Sequence, residues 1–133
     1  MENTTDKNGT RLMSSASTLA FVGDAYFGLL VRARLAEVER PVGELHSMSL
    51  KVVSATAQAK GFEVIEGKLT EKELAVFKRG RNLHTKNTPK SSSVAQYHTA
   101  TGLEALFGYF YLNGESERAY SLFCDIWNVI FES

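Results

Sequence analysis

The chain has 133 residues, the length of one domain, and its 44% of apolar and 11% of aromatic residues exclude a disordered protein. Fifteen basic and fifteen acidic residues cancel, so the overall charge indicates no polyanionic partner, and a single cysteine excludes an intrachain disulfide. The apolar run 19–31 is too short to cross a bilayer and residues 1–11 lack a signal-peptide core, so we expect one cytoplasmic domain over 1–133, with a flexible tail at 1–11 and no membrane partner.

Apolar spacing predicts the first two helices. The first has an apolar face whose residues lie three or four positions apart, namely Leu19, Val22, Tyr26, Leu29 and Ala33. The turn residues Pro41 and Gly43 separate it from a second helix. The same spacing marks the face of that second helix, which runs through Leu45, Met48, Val52, Ala55, Ala59 and Phe62.

The second half of the chain predicts three more helices. Thr70, followed three residues later by Glu73, is typical of a capping box that begins a helix, and Gly80 ends or weakens that helix. Residues 82–93 are polar and aperiodic, which indicates a loop. Residues 94–112 are apolar on nearly every side and therefore predict a central helix. After a turn at 113–114, a last amphipathic helix is indicated by Tyr120, Phe123, Trp127 and Ile130. Because no segment alternates with period two, the predicted class is all-α.

Two carboxylates stand alone in the most apolar helices. Asp24 is the only charged residue in 16–31, and Glu104 is the only one in 99–112. Burying an unpaired carboxylate is costly, so such acids are retained if a cation reaches them or if they are not buried. One hypothesis is that both bind a single Mg²⁺, which prefers oxygen ligands. The alternative is that Asp24 caps a helix after Gly23 and that Glu104 pairs with an arginine.

Residues 78–90 form a basic segment with five positive charges, one histidine and no acid. Arginine matches the geometry of phosphate, lysine supplies a point charge, and the three serines that follow could reach a phosphate or a ribose 2′-OH. The alternative is a solvated loop without a ligand. An acid pair that binds metal and a loop that binds phosphate together favour phosphodiester cleavage.

Several of these segments resemble a known family. LAFVGDAYF, at 19–27, resembles the signature helix of the ribonuclease III endonuclease domain, and TGLEALFGYFYL, at 101–112, resembles its second acidic helix. LHSMSLKVVSATAQA, LTEKELAVFKRGRN, TPK and YHTATGLEAL resemble Mini-ribonuclease III, the bacterial form without a double-stranded-RNA-binding domain. The resemblance covers about 19–112, with the motifs in the family's order.

The resemblance implies an all-α, ribonuclease III-like helical bundle that works as a homodimeric endoribonuclease. It implies Mg²⁺-dependent cleavage of double-stranded RNA, with Mn²⁺ as a substitute ion, and maturation of the large-subunit (23S) ribosomal RNA precursor, with a ribosomal protein as a further potential partner. The family's catalytic, metal-binding acids map onto Asp24 and Glu104. The first helix and the 94–112 helix are candidates for the dimer contact. RNA binding is assigned to residues in and near the basic segment, namely Arg79, Arg81, Asn82, Lys86 and Lys90.

The chain departs from the family pattern in places. Ala20 and Thr101 stand where full-length ribonuclease III carries two further acids, which favours one Mg²⁺ per subunit over two. Leu83, His84 and the serines at 91–93 alter the loop, so the choice of RNA substrate stays open. Two rival functions also stay open: a non-catalytic RNA- or ribosome-binding protein that retains the fold, and an all-α nucleotide phosphohydrolase.

Overall fold

The computed structural model describes residues 15–83 and 93–131, and within these ranges it contains six α-helices, one short 3₁₀ helix and no strand. The predicted all-α class is confirmed. No helix in these ranges is both long and apolar enough to cross a bilayer. The predicted tail at 1–11 and most of the predicted loop lie outside the described residues. The helices are α1 (Ala16–Leu35), α2 (Val42–Val53), α3 (Ala55–Ile65), α4 (Glu71–Arg81), α5 (Val94–Leu112) and α6 (Ser116–Phe131), with the 3₁₀ helix Glu66–Lys68 before α4.

Helix α5 occupies the centre of the bundle and has the bounds predicted from its apolar run. It packs against α1, α3, α4 and α6. The side chains of Leu103, Leu106, Phe107 and Phe110 are fully buried. A helix that is apolar on all sides needs neighbours on all sides, which explains why this segment lies in the middle.

Helix α1 buries a different stripe from the predicted one. Leu19, Phe27 and Val31 are buried, whereas Leu29 is 60% exposed and Ala33 is also exposed. The predicted face was therefore wrong along its second half. Because this helix is apolar on almost every side, residue spacing fits more than one face, and the contact with α5 decides which face is buried.

The predicted second helix consists of two helices that meet at Ser54. Ser54 has an extended backbone with ψ of 152°, and its hydroxyl accepts a hydrogen bond from the Ala57 N–H at 3.2 Å, which begins α3. All residues of the predicted apolar face are buried or half-buried, so the stripe continues across the break. A serine within a regular apolar spacing does not reveal that the chain changes direction there.

Side-chain caps fix the starts of α4 and α5. In the predicted capping box, the Glu73 N–H donates to the Thr70 hydroxyl at 3.1 Å, and the Thr70 N–H donates to Glu73 at 2.9 Å. Arg118 of α6 also donates to both Glu73 oxygens, at 2.9 and 3.1 Å, and so connects α6 to α4. A second capping box, between Ser93 and Gln96, begins α5 and was not predicted.

Candidate active site

Helices α1 and α5 cross in direct backbone contact. Gly23 lies against the backbone carbonyl of Glu104, and Gly108 lies against that of Leu19. A methyl group at either glycine would overlap a carbonyl oxygen, so only a residue without Cβ permits this approach. The contact brings the residue that follows Gly23 next to the turn of α5 that carries Glu104.

The two lone acids meet at this crossing. Asp24 follows Gly23, and its carboxyl lies within hydrogen-bonding reach of the Glu104 carboxyl. Burial raises the pKa of Glu104 to about 8, and both the negative charge of Asp24 and the hydrogen bond between the two groups act in the same direction. Without a cation, the pair therefore retains a proton on Glu104 at neutral pH.

Neither of the structural alternatives accounts for the pair. Asp24 lies in the middle of α1, whose N-cap is Ser15, so it does not cap the helix. Among the described residues, no ion pair includes Asp24 or Glu104, so the expected arginine partner is absent from this part of the chain. Of the two possibilities left open for the lone acids, exposure applies to Asp24, whereas Glu104 is partly buried.

A cation at the acid pair would be bound by carboxylate oxygens and by few other protein ligands. Within the described ranges, no group of three His, Cys, Asp or Glu side chains could hold a metal ion. Ala20 has no side-chain atom that could bind a metal, and Thr101, whose hydroxyl donates to the Tyr97 carbonyl at 3.0 Å, supplies a neutral oxygen instead of a carboxylate. Mg²⁺ is often bound by one or two carboxylates, with water and phosphate in the other positions, so this donor set fits one Mg²⁺ or Mn²⁺.

A cavity of about 280 Å³ lies beside Asp24, and its walls include Arg32, Val53 and Gln58. Arg32 is exposed, and its guanidinium donates to the Gly28 carbonyl at 3.1 Å. The wall of this cavity therefore contains a positive charge in addition to the carboxyl of Asp24. Neither Arg32 nor Gln58 was predicted from the sequence. The only signal for Gln58 is that it is a polar residue in a stretch rich in alanine.

The predicted RNA-binding residues divide into two groups. Arg79, Arg81 and Asn82 lie at the C-terminal end of α4 and are exposed. Lys86 and Lys90 lie outside the described residues. Of the predicted RNA-binding residues, only the first group can therefore be located relative to the two acids.

Close packing fixes this end of α4 near the acid pair. A Cβ at Gly80 would lie 2.6 Å from the Cβ of Ala105 and 3.1 Å from the carbonyl of Thr101. Both of these α5 residues are within one turn of Glu104. The C-terminal end of α4, with its basic side chains, therefore lies beside the turn of α5 that carries Glu104.

Helix α1 also carries an exposed apolar stripe. Phe21 is 81% exposed, and Tyr111 of α5 is 54% exposed. Together with Ala25 and Leu29 they line an open cavity of about 410 Å³, which includes Asp24. A contiguous exposed apolar patch typically marks an interaction surface.

Both the sequence and the fold match known proteins. Residues 17–115 match the family model of the Ribonuclease III domain. The chain is 44% identical over 108 residues to Mini-ribonuclease 3 of Thermoanaerobacter sp. (strain X514), which covers 80% of this chain and 76% of that protein. It is 46% identical over 102 residues to Mini-ribonuclease 3 of Symbiobacterium thermophilum, covering 76% and 78%. An X-ray crystal structure of a protein from Fusobacterium nucleatum matches with a TM-score of 0.77 at 30% identity, over 83% of this chain and 88% of that one. The chain therefore belongs to the ribonuclease III domain family, in its Mini-ribonuclease III branch, and is an endoribonuclease.

Proposed function

We propose that this endoribonuclease binds Mg²⁺ through Asp24 and Glu104 and cleaves double-stranded RNA, with Mn²⁺ as a substitute ion. The observation that carries the proposal is the contact between the two carboxyls, in a part of the described chain where no lysine or arginine pairs with either. At neutral pH, two adjacent carboxyls of which one has a pKa of about 8 ionise together when a cation compensates their charge. Their hard oxygen donors suit Mg²⁺, and RNA phosphates suit its remaining positions.

The two acids have different tasks in this mechanism. Asp24 is exposed and would face the substrate, whereas Glu104 is partly buried and would release its proton to water on binding the cation. A bound Mg²⁺ supplies activation of the attacking water and stabilisation of the charge that develops on the scissile phosphate. Gly23 keeps the two carboxyls adjacent through its backbone contact with α5. We expect products with a 5′ phosphate and a 3′ hydroxyl, formed without a covalent enzyme intermediate.

The basic residues grip the RNA backbone in this proposal. Arg79, Arg81 and Asn82 at the end of α4, with Lys86 and Lys90 further along, would contact phosphates. Support comes from the close packing of this end of α4 against α5 near Glu104. Because duplex RNA is recognised mainly through its shape and its 2′-hydroxyls, we expect weak sequence preference.

A second copy of this chain would cover the exposed apolar stripe of Phe21, Leu29 and Tyr111. In an isologous dimer the same patch of each subunit meets its equivalent. Asp24 lines the same cavity as this stripe, so the two active sites would lie close to the interface. One site would then serve each RNA strand, which gives a staggered cut.

We also infer that the substrate is the large-subunit (23S) ribosomal RNA precursor, processed in the cytoplasm, with a ribosomal protein as a further potential partner. The support for this substrate is the resemblance to the Mini-ribonuclease III family. Mapping the ends of cleaved precursor RNA would test it, and cleavage at scattered positions would contradict it.

The decisive experiment compares Asp24→Asn with the parent protein. Each is incubated with duplex RNA, single-stranded RNA and nucleoside triphosphates, with Mg²⁺ or with a chelator. We expect the parent to cleave duplex RNA only with the metal and the variant to be inactive. Asp125→Asn is the matched control, because the Asp125 carboxylate pairs with Lys68 at 2.8 Å and should not affect cleavage. Parental activity in Asp24→Asn, or cleavage that survives the chelator, would refute the proposal.

A further inference from the structure

Gln58 of α3 is a buried amide next to the acid pair. It is only 3% exposed, and its Nε2 donates to the Val53 carbonyl at 2.9 Å. Gln58 lines the same cavity as Asp24, and its side chain acts to lower the pKa of Glu104 through a hydrogen bond that favours the ionised carboxylate. Its carbonyl oxygen Oε1 is buried without a hydrogen-bond partner in the described part of the chain.

Packing alone does not explain an amide at this position. A buried polar atom without a partner costs about 1–3 kcal/mol, and an apolar side chain of similar shape avoids that cost. The buried neighbours on α3, Gly61, Phe62 and Ile65, are apolar or lack a side chain. Gln58 differs from them in its two polar partners, the Val53 carbonyl and the Glu104 carboxyl.

The break between α2 and α3 gives the Gln58 amide a second hydrogen-bond partner. The α-helix ends at Val53, so Ser54 turns the chain and the Val53 carbonyl accepts from the Gln58 side chain. An amide nitrogen has two N–H groups. One is fixed by Val53, and the other can be directed at Glu104.

We propose that Gln58 is a positioning residue whose amide, anchored on the Val53 carbonyl, holds the Glu104 carboxylate in the orientation in which it and Asp24 bind a divalent cation together. This inference rests on the proposed function, because it requires that the two acids bind a cation. Residues that orient a metal ligand from outside the coordination sphere typically change metal affinity 10–100-fold.

The test measures Mn²⁺ binding by electron paramagnetic resonance on the purified protein without RNA. Gln58→Met keeps the length of the side chain and removes its donor and acceptor. We expect it to raise the Kd for Mn²⁺ at least about tenfold, while its Tm in chelator stays close to that of the parent. Ser49→Ala is the matched control, because Ser49 is equally buried but donates to the His46 carbonyl at 2.7 Å. Its Kd should equal that of the parent.

Each outcome decides between the inference and the proposed function. If Glu104→Gln abolishes Mn²⁺ binding while Gln58→Met binds like the parent, the inference is wrong and the proposed function stands. If the parent itself does not bind Mn²⁺, both fail. Gln58→Leu serves as a second variant with the same expected loss of affinity. If circular dichroism finds both Gln58 variants unfolded, the residue has a packing role and the inference is wrong.

Discussion

Gly23 on α1 lies directly against the backbone carbonyl of Glu104 on α5, and this contact brings the two acids of the candidate active site together. Packed helices usually keep their axes about 8–10 Å apart because side chains separate them. At this crossing Gly23 and Gly108 remove that spacer. The short side chain of Asp24 can therefore reach Glu104, and the geometry of the acid pair depends on glycines that have no chemistry of their own.

We expect Gly23→Ala to damage both the fold and the site. The new methyl group overlaps the Glu104 carbonyl, and overpacking of this kind costs about 1–3 kcal/mol or more. Since the helices must separate to accommodate it, the cleavage rate per folded molecule should also fall. Urea unfolding and initial cleavage rates, taken where the variant is still folded, measure the two effects.

The matched control for that variant is Gly43→Ala on α2, where a Cβ would have no neighbour within 4 Å. It should be neutral or slightly stabilising, because alanine favours helix over glycine by about 1 kcal/mol. A Gly23→Ala enzyme with the parental rate per folded molecule would show that the backbone contact does not control the acid pair.

Glu104→Gln should stabilise the metal-free protein more at high pH than at low pH. The folded-state pKa of Glu104 is about 8 and its ordinary value is 4.5, so between these values the folded protein keeps a proton that the unfolded chain has lost. The parent therefore loses stability as pH rises from about 4.5 to 8, and glutamine removes this loss. We expect the Tm gain over the parent, measured by calorimetry in chelator, to be on the order of 10 °C at pH 8.5 and much smaller at pH 5. An equal gain at both pH values would contradict the raised pKa.

The start of α4 and the bounds of α5 could be predicted from local features of the sequence. The hydroxyl and carboxylate of Thr70 and Glu73 specify the start of α4, and the apolar run 94–112 has the bounds of α5. The buried face of α1 could not be predicted, because Leu29 is as apolar as Leu19. The close approach of Gly23 to α5 selects the buried face, and that contact is between segments distant in sequence.

The candidate site was predictable only in part. Asp24 and Glu104 stood out as lone charges, and their convergence on one cation was one of two hypotheses from that pattern. No spacing rule places residues so far apart in the chain side by side, and the family resemblance favoured that hypothesis. Their metal-binding role stays a prediction. Gln58 was missed because a glutamine between alanines is ordinary on a helix surface. Its burial and its contact with Glu104 depend on how α3 packs against α5.

Introducing a charge into the exposed stripe of α1 should prevent dimer formation. Phe21 and Leu29 lie on one stripe and are 81% and 60% exposed, so Phe21→Glu or Leu29→Glu would place like charges opposite each other in an isologous contact. We expect the parent to have twice the chain mass in light scattering at micromolar concentration, and the variants to be monomers with reduced cleavage. Val42→Glu is the control, since Val42 is 82% exposed on α2. A monomeric parent would contradict the proposed dimer.

Arg81→Ala should weaken RNA binding through the loss of a phosphate contact and leave the fold intact. The Arg81 guanidinium is exposed at the C-terminal end of α4 and lies 5.8 Å from the ring centre of Phe77. Each lost phosphate contact lowers the slope of log affinity against log salt by about 1. We expect a higher KM for duplex RNA, a smaller salt slope and an unchanged Tm. Lys68→Ala is the control, because Lys68 is paired with Asp125. If the salt slope of Arg81→Ala equals that of the parent, Arg81 does not contact the RNA backbone, and the positive charge that holds the substrate must lie elsewhere in the basic segment.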